Sequence, residues 1–141
     1  MSDAATLILE SLDRVAEITD DPSAQVYERL FTEYPEFKQL FRHESSGELA
    51  RQNMFRVTVV ALLEHLEGKH SSLTMVNSER INHFHLGVPN EKFNRYYEVV
   101  RDTFQDILGD DWTPQTQNAW DDAIDGLVGA TGGWQDGASG K

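Results

Sequence analysis

Residues 22–41 read PSAQVYERLFTEYPEFKQLF, and two features of this stretch decide the fold class. The first is proline. Its ring fixes φ near the helical value, and its missing amide hydrogen is no loss in a first helical turn, so proline favours the start of a helix. Pro22 follows Asp20-Asp21 and Pro35 follows Tyr34. The second is spacing. Val26, Tyr27, Leu30 and Phe31 recur at three and four residues, the period of a helix that buries one face. The stretch predicts a helix over 22–33 and a short turn over 35–41.

The same punctuation continues outward. Pro89 follows Gly87-Val88 and Pro114 follows Thr113. Asp21 and Thr113 suit the capping of exposed amides. Residues 3–19 carry Ile8, Leu12, Val15 and Ile18 on one stripe, and 47–66 hold the densest apolar run, Val57 to Leu63. A short helix is predicted over 76–86. Residues 89–108 repeat Phe93, Tyr97, Val100, Phe104 and Ile107, and 114–128 carry Trp120, Ala123, Ile124 and Leu127. No strand-like alternation appears. The expectation is an all-α domain of about seven helices over residues 1–128. Residues 129–141 hold five glycines without periodicity and read as a flexible tail, with the last helix stopping at Gly129.

Composition narrows the function. The 141 residues suffice for one domain with a real core. With no cysteine, a disulfide framework, a cysteine zinc site and a thiolate haem ligand are excluded. The N-terminus lacks a basic region and a continuous apolar run, and no segment approaches the ~20 apolar residues that span a bilayer. A cytoplasmic location is the expectation. Twenty-four acidic against twelve basic side chains give a net charge of −12, which repels nucleic acid and anionic lipid.

Beyond the helices, chemistry enters through a resemblance. Residues 26–41 resemble the second and third helices of globins, above all flavohaemoglobins and bacterial single-domain haemoglobins. Tyr27, Pro35 and Phe41 fall where that family has a distal tyrosine, a helix-opening proline and a phenylalanine packed flat on the porphyrin. His83-Phe84-His85-Leu86-Gly87-Val88, with Phe93 ten residues after His83, is similar to the globin proximal motif. Leu108-Gly109-Asp110-Asp111-Trp112-Thr113-Pro114, with Ala119-Trp120, resembles the junction into the last globin helix.

The resemblance implies the globin fold, a helical sandwich holding haem b (iron protoporphyrin IX), with His83 as the iron ligand. Phe41, Met54, Val57, Val88 and Phe93 would line the cofactor, and Tyr27, Asn53 and Ala50 would stand on the distal side. Ferrous haem needs a neutral imidazole on one face, and that imidazole needs an acceptor for its other ring nitrogen. A buried tyrosine hydroxyl needs a partner, which bound oxygen can provide. His43, His65, His70 and His85 are expected to face solvent, and Trp120 to pack between the last two long helices.

Two places depart from the family pattern. No phase of residues 47–57 gives a distal histidine: one sets Ala50 and Met54 over the iron, another Asn53 and Val57. Glu79, one turn before His83, stands where the family prefers an apolar residue, and a carboxylate beside a porphyrin is costly unless it reaches solvent or a partner. The implied function is reversible binding of O2, NO or CO, as a monomer or homodimer. One alternative is nitric oxide dioxygenation with a reductase in trans, since the chain ends where a flavohaemoglobin's reductase would begin. Another is a haem-free globin-like sensor or interaction module, favoured by Glu79 and the missing distal histidine.

Overall fold

The structure, a computed structural model, describes residues 3–41, 44–69 and 71–132, without the side chains of 40–50, 71–73 and 130–132. Six α-helices follow one another: α1 (Asp3–Ile18), α2 (Pro22–Glu33), α3 (Glu44–Leu66), α4 (Ser71–His85), α5 (Asn90–Leu108) and α6 (Pro114–Gly132). Turns of 3₁₀ helix cover Pro35–Phe41 and Gly109–Asp111. No strand occurs among the described residues, as the sequence predicts.

The prolines act as expected with one shift. Pro22 opens α2, Pro35 opens the 3₁₀ segment and Pro114 opens α6, whereas Pro89 is the extended residue just before α5. Thr113 caps α6, its hydroxyl accepting the Thr116 amide at 3.0 Å. Asp21 makes no side-chain cap. Its carboxylate instead accepts the Ser23 hydroxyl at 2.5 Å, leaving the backbone amides of α2 without it. Three helix ends also differ from expectation. α3 and α4 begin earlier, at Glu44 and Ser71, where the sequence carries no apolar stripe to announce them. α6 runs through Gly129 to Gly132, since a glycine weakens a helix by about 1 kcal/mol without ending it, and Leu127 just before it is fully buried.

α5 is the central plank. It buries Tyr96, Tyr97, Val99, Val100, Thr103, Phe104 and Leu108 on more than one face, with α2 packed along it. α1 packs on α6, and α3 lies against both α4 and α6. Trp120 of α6 is fully buried edge-on to Phe104, ring centroids 5.3 Å apart. Its indole N–H donates to the Ser11 hydroxyl at 3.1 Å, which donates to the Ile8 carbonyl at 2.6 Å. The tryptophan therefore ties α1 as well as α5 to α6. His65 does not face solvent. It is half-buried, with Nε2 2.7 Å from the point a Cβ on Gly126 would occupy, so only a glycine lets α6 pass this close to the ring as it stands.

A bidentate ion pair joins α2 to α5. Arg95 Nε and Nη2 donate to the two carboxylate oxygens of Glu33, at 2.9 and 3.2 Å. That contact holds the Glu33 carboxyl below its ordinary value of 4.5. Its stabilisation is therefore present above pH 4.5 and is lost as the pH falls through the lowered value. Glu33→Gln is expected to cost about 0.5–1 kcal/mol at pH 7, the worth of a good surface pair, in urea unfolding. The gap between wild type and variant should close below pH 4.5; a gap that stays constant with pH would show that the pair does not carry it.

Candidate functional site

The site begins with the way α4 ends. The last carbonyls of a helix need donors, and a glycine in the left-handed region lets the chain fold back to supply them. Gly87 takes φ +98°, the Gly87 amide donates to the Phe84 carbonyl at 3.0 Å, and the Val88 amide reaches the His83 carbonyl at 2.8 Å. This paired closure turns Val88 inward, where it is 5% exposed, and Pro89 then stops any continuation. One turn back from the closure stands His83. Its Nδ1 lies 2.7 Å from the Glu79 backbone carbonyl. A carbonyl only accepts, so Nδ1 carries the proton and Nε2 keeps its lone pair. The imidazole also meets the edge of Phe93, ring centroids 5.1 Å apart.

His83 opens on a cavity of about 420 Å³ between α3, α4 and the first turns of α5. Val57, Ala61, Val76, Val88 and Phe93 give it apolar walls, and Phe37 and Leu30 close it toward α2. The volume falls within the roughly 300–1,000 Å³ of small-molecule and cofactor sites. Few polar groups reach it. Asn53 Oδ1 accepts from Arg56 at 2.7 Å on the exposed side, Lys92 at the mouth donates to Glu36 at 3.3 Å, and Glu79 sits at the rim. Deeper, Thr58 and Tyr96 are buried, and Tyr27 is a polar neighbour of Tyr96.

The comparisons with known proteins fit this geometry. A family model described as Globin matches residues 24–131. The chain belongs to the globin family. It is also 27% identical, over 111 residues, to a Flavohemoprotein of Rhizobium meliloti (strain 1021). That match covers 77% of this chain and 27% of the relative, so the chain spans about a quarter of the relative's length.

Family membership makes this a haem-binding fold, and the residues fit the cofactor. The cavity offers apolar walls and one imidazole whose Nδ1 is taken by a backbone carbonyl, leaving Nε2 with its lone pair. Among the residues singled out from the sequence, Asn53, Met54, Val57, His83, Val88 and Phe93 line this globin's cavity together. On α3, residues 53, 54, 57, 58 and 61 line the cavity. Tyr27 does not line the cavity. It is buried, with its ring 5.7 Å from that of Tyr96. The side chains of Phe41 and Ala50 lie outside the described residues, as do His43, His70 and Trp134. The Glu79 carboxylate is 49% exposed and 3.8 Å from His83 Nδ1, so it reaches solvent and charges the pocket little; its backbone carbonyl is what the imidazole uses. Tyr96 and Thr58 went unread in the sequence, because Tyr96 lies just off the stripe that runs through Phe93 and Tyr97.

The backbone acceptor has a direct consequence for the haem-free globin. In ¹⁵N NMR of the neutral imidazole, His83 is expected as the Nδ1–H form, and Glu79→Gln should leave it so because the carbonyl remains. An Nε2–H form in the wild type, or one created by the substitution, would contradict this assignment.

Proposed function

We propose that this globin is a bacterial-type single-domain haemoglobin, holding haem b through His83 Nε2 and binding a diatomic gas on the opposite side. The observation that carries the reading is the Glu79 carbonyl on His83 Nδ1, which supports the tautomer that keeps a lone pair on Nε2 of a cavity-lining histidine. Held there by His83, haem would supply an iron able to bind a small gas such as O2, NO or CO.

The chain's own residues do the rest. The Phe93 edge restricts rotation of the imidazole. Val57, Ala61, Val76 and Val88 keep water from the pocket, and Met54 adapts to the irregular edge of a flat ring. Phe41 and Ala50 complete the cofactor and distal walls in this reading, as the resemblance implies. Lys92, shared with Glu36, is the cation at the mouth that can meet an anionic edge of the cofactor. The exposure of the Glu79 carboxylate supports the haem-bound reading over a haem-free module. The likeness to a flavohemoprotein supports a reductase acting in trans as the electron source, and a cytoplasmic location belongs to the same proposal.

The test compares two histidines on the same helix. His83→Ala should lose stoichiometric haem, or regain it with added imidazole, while His85→Ala, an exposed position, should leave the visible spectrum nearly unchanged. The reverse pattern would mean that His85 is the ligand and would end the reading.

A further inference from the structure

Exposed apolar side chains gather at one place on the surface. Of the five large hydrophobic side chains exposed among the described residues, Ile81, Phe84 and Leu86 fall within six positions at the end of α4. Leu86 lines the cavity. Ile81 and Phe84 do not, and their spacing of three puts them on one face of the helix. We propose that Trp134, which lies outside the described residues, packs on Ile81 and Phe84 and so clamps the last turn of α4, the turn that carries His83; its consequence for haem rests on the haem-binding reading above.

Three observations commit the patch to this occupant. The first is where α6 leads. It runs antiparallel to α5: Arg101 donates to Asp121 at 3.0 Å, and Ile124 and Val128 share a groove with Glu91 and Lys92 in the first turn of α5. Gly132 stands one turn, about 6 Å, beyond Val128. That direction leads to the corner of residues 86–89 joining α4 to α5, and α4 packs against α6. From Gly132 to Trp134 the chain reaches up to about 7 Å further, and Gly132-Gly133 lets it turn either way. The second is size. Ile81 at 37% and Phe84 at 48% exposure leave on the order of 200 Å² uncovered, which matches one tryptophan and falls far short of the ~800 Å² a partner protein covers. The third is charge. A net charge of −12 opposes a second copy, whereas residues 129–134 carry no charge.

The contact acts on His83 through the backbone. The Phe84 carbonyl accepts the Gly87 amide at 3.0 Å, and the neighbouring His83 carbonyl accepts the Val88 amide. Fixing the Phe84 side chain therefore steadies the closure of α4 that sets the imidazole. Trp134 is a positioning residue in this scheme.

The test labels the three tryptophans of the haem-free protein with 5-fluorotryptophan and follows them by ¹⁹F NMR, the Trp134 signal being the one that Trp134→Phe removes. That signal is expected to respond little when H2O is replaced by D2O. Phe84→Ser should move it to the position of an exposed fluorotryptophan. Ile18→Ser, at an exposed residue of α1, should leave it in place. The signal of the fully buried Trp120 should stay fixed in both variants, reporting an intact fold. The proposal is overturned if the wild-type Trp134 signal responds to D2O as an exposed one does, if Phe84→Ser leaves it in place, or if dilution alone moves it, which assigns the patch to a second copy. In the haem-loaded protein, Trp134→Ala is expected to speed haem transfer to excess apomyoglobin about threefold. An unchanged rate overturns the clamp. A wild type that takes up no haem overturns the proposed function and not the docking, which the haem-free signals decide.

Discussion

The hydrogen bond from His83 Nδ1 to the Glu79 carbonyl is the interaction on which the site depends. An imidazole has two nitrogens and, when neutral, one proton. Committing that proton to a backbone acceptor leaves a single lone pair and a single direction for it. The acceptor is main chain, so the arrangement tolerates a glutamate in place of the apolar residue the family prefers. What keeps the bond in register is the closure of α4 just beyond it, where Gly87 turns left-handed and the Val88 amide returns to the His83 carbonyl. A Cβ at Gly87 would meet no neighbouring atom, so the constraint there is purely on the backbone. The same closure buries Val88 and aims Pro89 into α5. One local device thus sets the histidine, a wall of the cavity and the start of the helix beneath it.

α5 then divides the labour along its length. Its first turns carry Phe93, Tyr96 and Tyr97 toward the cavity, and its later turns carry Val99, Val100 and Phe104 into the core. The core half is rigid for identifiable reasons: Phe104 meets Trp120, and Trp120 is tied to α1 through Ser11. The cavity half continues directly from it, with Tyr96 and Tyr97 buried on the same helix. Arg95, within the cavity half, fastens α2 and with it Tyr27 onto this helix.

Much of this is legible in the sequence where one local rule suffices. Three prolines open the segments they were expected to open, and the His83, Gly87, Val88 spacing marks a helix end because only glycine enters the left-handed turn cheaply. Legibility fails where two rules compete. Asp21 looks like a cap, yet Ser23 captures its carboxylate. α4 starts at Ser71, before any apolar stripe can announce it. Tyr96 was missed because a single-stripe reading of α5 follows Phe93, Tyr97 and Val100, whereas a helix buried on several sides uses adjacent positions as well. Which side chains of α2 and α5 approach one another is a matter of packing, and the contact of the Tyr27 and Tyr96 rings could not be read from spacing along the chain.

The central claim is that this cavity is a haem site with one imidazole lone pair presented to it. Titrating haem into the purified haem-free protein, followed in the visible spectrum, tests it most directly. The account predicts a sharp Soret band that saturates at one haem per chain. A titration with no saturation, or a spectrum indistinguishable from haem free in buffer, would contradict it.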